Sequence, residues 1–400
     1  MANRRYTLLR DAGRVSTAEP YGTRSRGGLG PERAPVAPEP RVEVERLSAK
    51  EVREAARDPG VAAIAPVMPT TLIRPFAAEA AAAATAWGVS AVKADESPFT
   101  GAGVTVAVLD TGIDAGHAAF AGVTILEQDF SGSGNGDHQG HGTHCAGTIL
   151  GREVEGTRIG VAPGVTRLLA GKVLGDAGNG DSDMIFRGIQ WALQQNADVV
   201  SMSLGFDFPG LVQQLVDQRW PADLATSLAL EAYRGNLRMF DALMEMVEAR
   251  TAFGQGTVLV AAAGNESRRD VDPDYEIAVS IPAAAQGIVA VGALAAGTGG
   301  LSVASFSNTF PQVSAPGVGV ISAKLGGGLR ALSGTSMATP HVAGVTALWW
   351  EALRAAPVNP NAGAVAARLL ASARLGGFAA GVDPADRGLG IVTAPLAAVS

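Results

Sequence analysis

The sequence predicts an α/β protein with a mostly parallel central sheet, preceded by a small α+β segment, on three grounds. Four short apolar runs, Val104–Leu109, Val199–Ser203, Val258–Ala262 and Ile288–Val291, are continuous rather than alternating. Such runs suit parallel strands covered on both faces. Longer stretches separate them, and between Gly205 and Gly256 the residues Tyr233, Leu237, Phe240, Met244 and Val247 recur every three or four positions, as on a helix packed against a sheet. The first seventy or so residues differ: Tyr6–Leu9 and Val42–Val44 alternate like strands, Ser48 is placed to cap a helix running to Arg57, and Val61–Val67 reads as a further strand.

In chain order, the stretch from Gly13 to about Pro40 is rich in Gly, Pro, Arg and Ser without apolar periodicity, a composition that cannot repay the entropy of ordering. A flexible linker is expected there, inside an N-terminal unit of residues 1–80, with the main domain over 81–400. At 400 residues and 47% hydrophobic content the chain can bury one large core. A net charge of −7 excludes the clustered basic footprint that nucleic-acid binding needs. Cys145 stands alone, so no intrachain disulfide framework is possible and a reducing compartment is compatible. The first eleven residues hold no apolar stretch of signal-peptide type, and the Ala-rich run Ala77–Ala86 is interrupted by Glu79 and too short to span a bilayer. A soluble cytoplasmic monomer with no membrane association is expected, with export by a non-standard route as the alternative.

Three segments carry chemistry. The run Val108-Leu109-Asp110 leads into Thr111-Gly112-Ile113-Asp114, which puts a carboxylate at the carboxyl end of a parallel strand, where open α/β sheets gather their ligands. No Gly-x-Gly-x-x-Gly follows, against a dinucleotide fold. Next, Asp137-His138-Gln139-Gly140-His141-Gly142-Thr143-His144-Cys145 holds three histidines at intervals of three. A metal site is one reading. Gly140 and Gly142 argue against a regular helix through the cluster, and no glutamate stands between paired histidines as a zincin base. His138 and His144 suit surface or hydrogen-bonded core roles, whereas glycines flank His141 and let substrate backbone approach. Finally, Gly334-Thr335-Ser336-Met337-Ala338-Thr339-Pro340 is a turn feeding a helix of small residues. Ser336 there could simply cap the helix, or it could sit beside outward N–H groups ready for an oxyanion. The Gly-x-Ser-x-Gly elbow of α/β-hydrolases is missing.

Together, Asp110-Thr111-Gly112, His141-Gly142-Thr143-His144 and Gly334-Thr335-Ser336-Met337-Ala338 resemble the three signatures of the subtilisin-like serine peptidases, in that family's chain order. Ala261-Ala262-Ala263-Gly264-Asn265 resembles the segment that carries the family's oxyanion-hole asparagine. Further matches at Ile159–Pro163, Ser201–Gly205, Ala315–Gly317 and Gly388–Gly390 extend the resemblance from about Trp87 to the C-terminus.

The resemblance implies a subtilisin-like three-layer fold and a serine endopeptidase working through an acyl-enzyme on peptide or protein substrates. Ser336 would be the nucleophile, His141 the base and Asp110 its orienting carboxylate, with the Ser336 N–H and Asn265 forming the oxyanion hole. Ser203, Leu204 and Gly205 on one side, and Gly178 and Gly180 on the other, would pair with extended substrate as strands. Ala262, Ala263 and Gly264 would leave an open pocket for an apolar side chain before the scissile bond, with Ser280 at its floor and Glu266 at its rim. No cofactor would be required for catalysis. The loop Gly151–Gly156 lacks the Asn-rich sequence of the family's strong calcium site, which leaves structural calcium elsewhere open and no metal ligand assigned. Val42–Leu72 resembles the second half of the family's inhibitory propeptide, so the N-terminal unit would act as an intramolecular inhibitor, with self-cleavage between about Met68 and Trp87.

Overall fold

The computed structural model describes residues 3–12, 37–79, 83–254, 256–357 and 359–398; the expected linker lies for the most part outside them. At the centre is an eight-stranded sheet. Its spatial order is Gly300–Val303, Ile288–Gly297, Val258–Ala262, Val199–Met202, Thr105–Asp110, Arg167–Lys172 and Thr124–Asp129, with Val313–Pro316 also pairing with Ile288–Gly297. All neighbouring pairs are parallel except the one made by Gly300–Val303. The continuous apolar runs are therefore the middle strands.

Alternation of side chains along those strands divides the core into two layers. Val106, Val108, Leu168 and Val260 face the helices His141–Leu150 and Thr335–Arg354, while Ala107, Leu109, Leu169 and Leu259 face Ser182–Gln194 and Ala222–Arg250. Helices on both faces of one sheet make the three layers. The stretch after Gly205 forms two helices, Phe208–Asp217 and the 29-residue Ala222–Arg250. Met239, Phe240, Leu243 and Val247 of the longer one are buried on the sheet, as the periodicity predicts.

The N-terminal unit is a three-stranded antiparallel sheet, with Arg4–Asp11 between Pro40–Leu47 and Val61–Pro66, and one short helix Ala49–Ala55. Ser48 caps that helix in a reciprocal box with Glu51. The sheet lies on the helices Ser182–Gln194 and Ala222–Arg250 through specific polar contacts. Asn236 Nδ2, on the long helix, donates to Pro66 O at 2.9 Å, and Val42 N donates to Gln190 Oε1 at 2.9 Å. Among the described residues no helix is long and apolar enough to cross a membrane.

Candidate active site

Asp110 closes the central strand, and the chain then turns sharply at Gly112, whose φ of 105° favours glycine. A Cβ there would also lie 2.3 Å from Gly136 O. His141 opens the helix His141–Leu150, directly after Gly140 in left-handed conformation. The regular helix that Gly140 and Gly142 argue against therefore exists. Gly140 is its cap, and Gly142 is tolerated inside because a Cβ would meet Gly112 O at 2.2 Å: close packing against the Asp110 turn, not a break in the helix, explains the glycine. His141 Nδ1 lies 2.8 Å from Asp110 Oδ1, which also accepts from Thr111 N at 2.8 Å.

Asp137 locks these two elements together and escaped the sequence reading. Its buried carboxylate accepts from Thr111 Oγ1, Gln139 N, Gly140 N, Thr143 N and Thr143 Oγ1. Thr111 Oγ1 in turn accepts from Gly142 N at 3.0 Å. The signal was a carboxylate just ahead of a helix start, within reach of the unpaired N–H groups of its first turn.

Ser336 is the second residue of the helix Thr335–Arg354, so its N–H is among the first four that lack an intrahelical acceptor. Asn265 Oδ1 accepts from Thr335 N at 2.9 Å and Thr335 Oγ1 at 2.8 Å, fixing the helix start to the end of Val258–Ala262. The Ser336 hydroxyl donates to Ile73 O at 3.2 Å and to Ser203 O at 3.4 Å. His141 Nε2 is buried and, among the described residues, has no hydrogen-bond partner. The amide of Asn265 donates to Arg74 O at 3.2 Å. Asp110, His141 and Ser336 are each no more than 1% exposed, and the chain's own N-terminal strand leads the Ile73 carbonyl onto Ser336.

That strand, Pro69–Leu72, runs antiparallel between Leu204–Phe206 and Asn179–Asp181. Leu72 pairs with Leu204 and Thr71 with Gly205 on one side; Thr71 pairs with Asn179 and Thr70 with Gly180 on the other, and Leu72 N donates to Gly178 O at 2.8 Å. Leu204, Gly205, Gly178 and Gly180 thus border an extended peptide, and Ser203 lies next to them, bonded to Ser336. Ile73 is 4% exposed, and a Cβ on Gly205 would lie 3.5 Å from Ile73 Cγ1 and 3.7 Å from Ser280 Oγ. Ala262, Ala263 and Gly264 are buried just behind, with Ala263 O accepting from Ser280 N at 3.0 Å and Asn308 Nδ2 at 3.1 Å. Glu266 is bound through Oε2 to Asn308 Nδ2 at 2.6 Å. Beyond Arg74 the chain continues as Phe76–Ala77, paired with Leu332 and Ser333.

Burial opposes protonation of His141, but the Asp110 carboxylate outweighs it and holds the imidazole well above its usual pKa of 6.5. His144, on the same helix, is bound to Val320 O and burial pushes it down to about 3. His138 is exposed and lies before the helix. The three histidines therefore do not converge. Among the described residues the one group with metal-ligating atoms in mutual reach is Asp110, His141 and Cys145. Two of those are engaged with each other, and burial pushes the Cys145 thiol up, away from the thiolate a metal takes.

Residues 101–389 match the model of the subtilase family. The chain belongs to the subtilase family. Its similar relatives include subtilisin amylosacchariticus of Bacillus subtilis subsp. amylosacchariticus, 33% identical over 76% of this chain and 68% of that protein. The thermostable alkaline protease of Halalkalibacterium halodurans is 34% identical over 76% and 70%, and subtilisin of Bacillus pumilus 34% over 66% and 83%. This subtilase is a serine endopeptidase, acting on peptide or protein substrates, and the family's catalysis needs no cofactor. In the loop that would correspond to the family's strong calcium site, Arg152 donates its guanidinium to the carbonyls of Leu150, Pro163 and Val165, which puts a fixed positive charge at the base of the loop.

Proposed function

We propose that this subtilase first hydrolyses its own Ile73–Arg74 bond, using Ser336 as nucleophile, His141 as base and Asp110 as orienting carboxylate. The observation that carries the proposal is the seating of Pro69–Leu72 as the middle strand of the cleft, with the Ile73 carbonyl against Ser336 Oγ.

In the first step Ser336 Oγ attacks the carbonyl carbon of Ile73 and its proton passes to His141 Nε2, a buried nitrogen with no partner among the described residues. Asp110, on Nδ1, keeps the tautomer that leaves Nε2 free to accept and stabilises the imidazolium that results. The negative charge gathering on the Ile73 oxygen is taken by the Ser336 N–H and the Asn265 amide. Asn265 moves from the Arg74 carbonyl to the adjacent Ile73 oxygen to do so. Collapse breaks the Ile73–Arg74 bond, His141 protonates the departing Arg74 amine, and Ile73 remains esterified to Ser336. Water, deprotonated by His141, then attacks the ester carbonyl; the ester bond breaks, His141 returns the proton to Ser336 Oγ, and Ile73 leaves as the new carboxyl terminus.

Ile73 in the pocket beside Gly205 and Ser280 supports a preference for an apolar residue before the scissile bond. The cut would divide the chain at 73/74, a few residues before the expected boundary at 80. Residues 1–73 would stay as an intramolecular inhibitor, held by Asn236, Gln190 and the two hydrogen bonds between Met68 and Ser182. Labelling with a fluorophosphonate tests the nucleophile. Ser336 should carry the label in the wild-type chain in the presence of chelator, and a label elsewhere, or none after full cleavage of the N-terminal unit, would contradict it.

A further inference from the structure

Arg5, on the first strand of the N-terminal unit, reaches out of its own sheet to the rim of the cleft. Its Nη1 lies 2.5 Å from Asp181 Oδ2 and its Nη2 2.9 Å from Asp183 Oδ1. One guanidinium thus bridges two carboxylates, a geometry that suits arginine's planar fork. Asp183 is only 2% exposed and also holds Arg187 at 3.0 Å through Oδ2, so its Oδ1 has Arg5 as its cation. This is a site already filled by a basic side chain, and the side chain belongs to the part of the molecule that cleavage would detach.

The position of the site along the cleft follows from the strand register. Counting back from the Ile73–Arg74 bond, Pro69 is the fifth residue, and it pairs directly with Asp181 across the antiparallel ladder. On the other side its carbonyl accepts from Asp207 N at 3.1 Å. Directly opposed residues in such a ladder project from the same face, with Cβ atoms about 5 Å apart. A long basic side chain at the fifth position would therefore lie beside Asp181, in the cleft of about 970 Å³ that Arg5, Pro69, Asp181 and Asp207 line. In this chain the fifth residue is a neutral proline and the cation comes instead from Arg4–Asp11 of the separate N-terminal sheet. Charge follows the same division: residues 1–73 hold 12 Lys and Arg against 9 Asp and Glu, and residues 74–400 hold 19 against 29.

We propose that Asp181 and Asp183 form an anionic subsite which, once Arg5 has left, selects substrates with arginine or lysine at the fifth residue before the scissile bond. The proposal rests on the Ile73–Arg74 assignment, because that assignment sets the register. It adds a charge requirement at the far end of the cleft to the apolar requirement beside Ser336.

The test uses self-processed enzyme and synthetic peptides spanning residues 66–77, with proline, arginine or glutamine at position 69. In low salt the arginine peptide should be cut with a kcat/KM about five-fold above the glutamine peptide, the scale of a well-formed but accessible ion pair. The ratio should fall to within two-fold of one in 0.5 M sodium chloride, and likewise in Asp181→Asn. Asp181 is the more exposed of the pair, so its variant is the safer one to fold; the salt series needs no variant at all. Equal cleavage of the arginine and glutamine peptides at low salt, or a preference that salt and Asp181→Asn leave intact, would overturn the subsite. Cleavage of all three peptides at a bond other than 73–74 would overturn the register and the subsite with it.

Discussion

Ser336 Oγ donates to the carbonyl oxygen of Ile73 at 3.2 Å, not to His141, whose Nε2 is buried without a partner among the described residues. The hydroxyl is held on the peptide group that the proposed self-cleavage would attack. Catalytic hydrogen bonds that are loose before reaction and tighten during it are expected of such sites. The state is that of an intact chain threaded through its own cleft.

Removing the Asn265 amide should slow self-cleavage without unfolding the chain. Asn265→Ala also takes Oδ1 away from Thr335 N, so Asn265→Asp, which keeps that acceptor, is the cleaner variant. Its rate should drop by roughly 10²–10³-fold, a scale borrowed from subtilisin, where such a donor has been removed. Following the appearance of the 74–400 fragment over time checks this, and an unchanged rate would exclude Asn265 from the oxyanion hole.

The pH dependence of self-cleavage follows from His141. Only the neutral imidazole can accept the Ser336 proton, and Asp110 raises the pKa above 6.5, so the rate should rise with pH through a midpoint above 6.5. The raised pKa also means that the stability this group supplies is fully present below 6.5 and lost as pH rises through the folded value. Asp110→Asn should move the midpoint of the rate profile downward while lowering the rate at every pH. A wild-type midpoint below 6.5 would contradict the assignment.

His341 supplies the opposite case. It is buried, with Nδ1 2.7 Å from Met337 O, and burial pushes its pKa down to about 4. The unfolded chain takes up a proton near 6.5 and the folded chain does not until about 4. Stability is therefore complete above 6.5 and falls as the pH drops towards 4, by about 1.4 kcal/mol per unit and roughly 3 kcal/mol in all. His144, at about 3, acts in the same direction. Urea unfolding of the Ser336→Ala chain should show this acid limb, and adding His341→Gln should make it shallower.

Asn236 on the long helix has no exposed surface, and its Nδ2 is shared between Pro66 O and Ala232 O at 2.9 Å each. Asn236→Ala leaves the Pro66 carbonyl without its donor, at a cost of about 1–2 kcal/mol. The cut N-terminal unit should then dissociate about ten-fold more readily. The lag between self-cleavage and peptidase activity on an added peptide should shorten accordingly.

The central strands, and the placing of Asp110, His141 and Ser336 at a strand end and two helix starts, were legible because each is a local pattern: an apolar run, a glycine-flanked histidine, a serine opening a helix of small residues. The two strands Pro69–Leu72 and Phe76–Ala77 were not. Pro69-Thr70-Thr71-Leu72 has no apolar alternation to mark it, since it becomes a strand only when two edges of the cleft supply its hydrogen bonds. Gly142 misled for a related reason: its propensity disfavours helix, and the close approach of Gly112 O decides otherwise. Asp137 was passed over because its five donors come from both sides of a turn whose shape the sequence does not display.

The central claim is that Ser336 cuts the chain after Ile73, and intact-mass analysis of freshly purified protein tests it most directly. The wild-type chain should yield fragments 1–73 and 74–400, the larger beginning at Arg74, and Ser336→Ala should yield the 400-residue chain alone. Fragments of the same masses from Ser336→Ala, or a wild-type chain that stays uncut while cleaving added peptides, would contradict it.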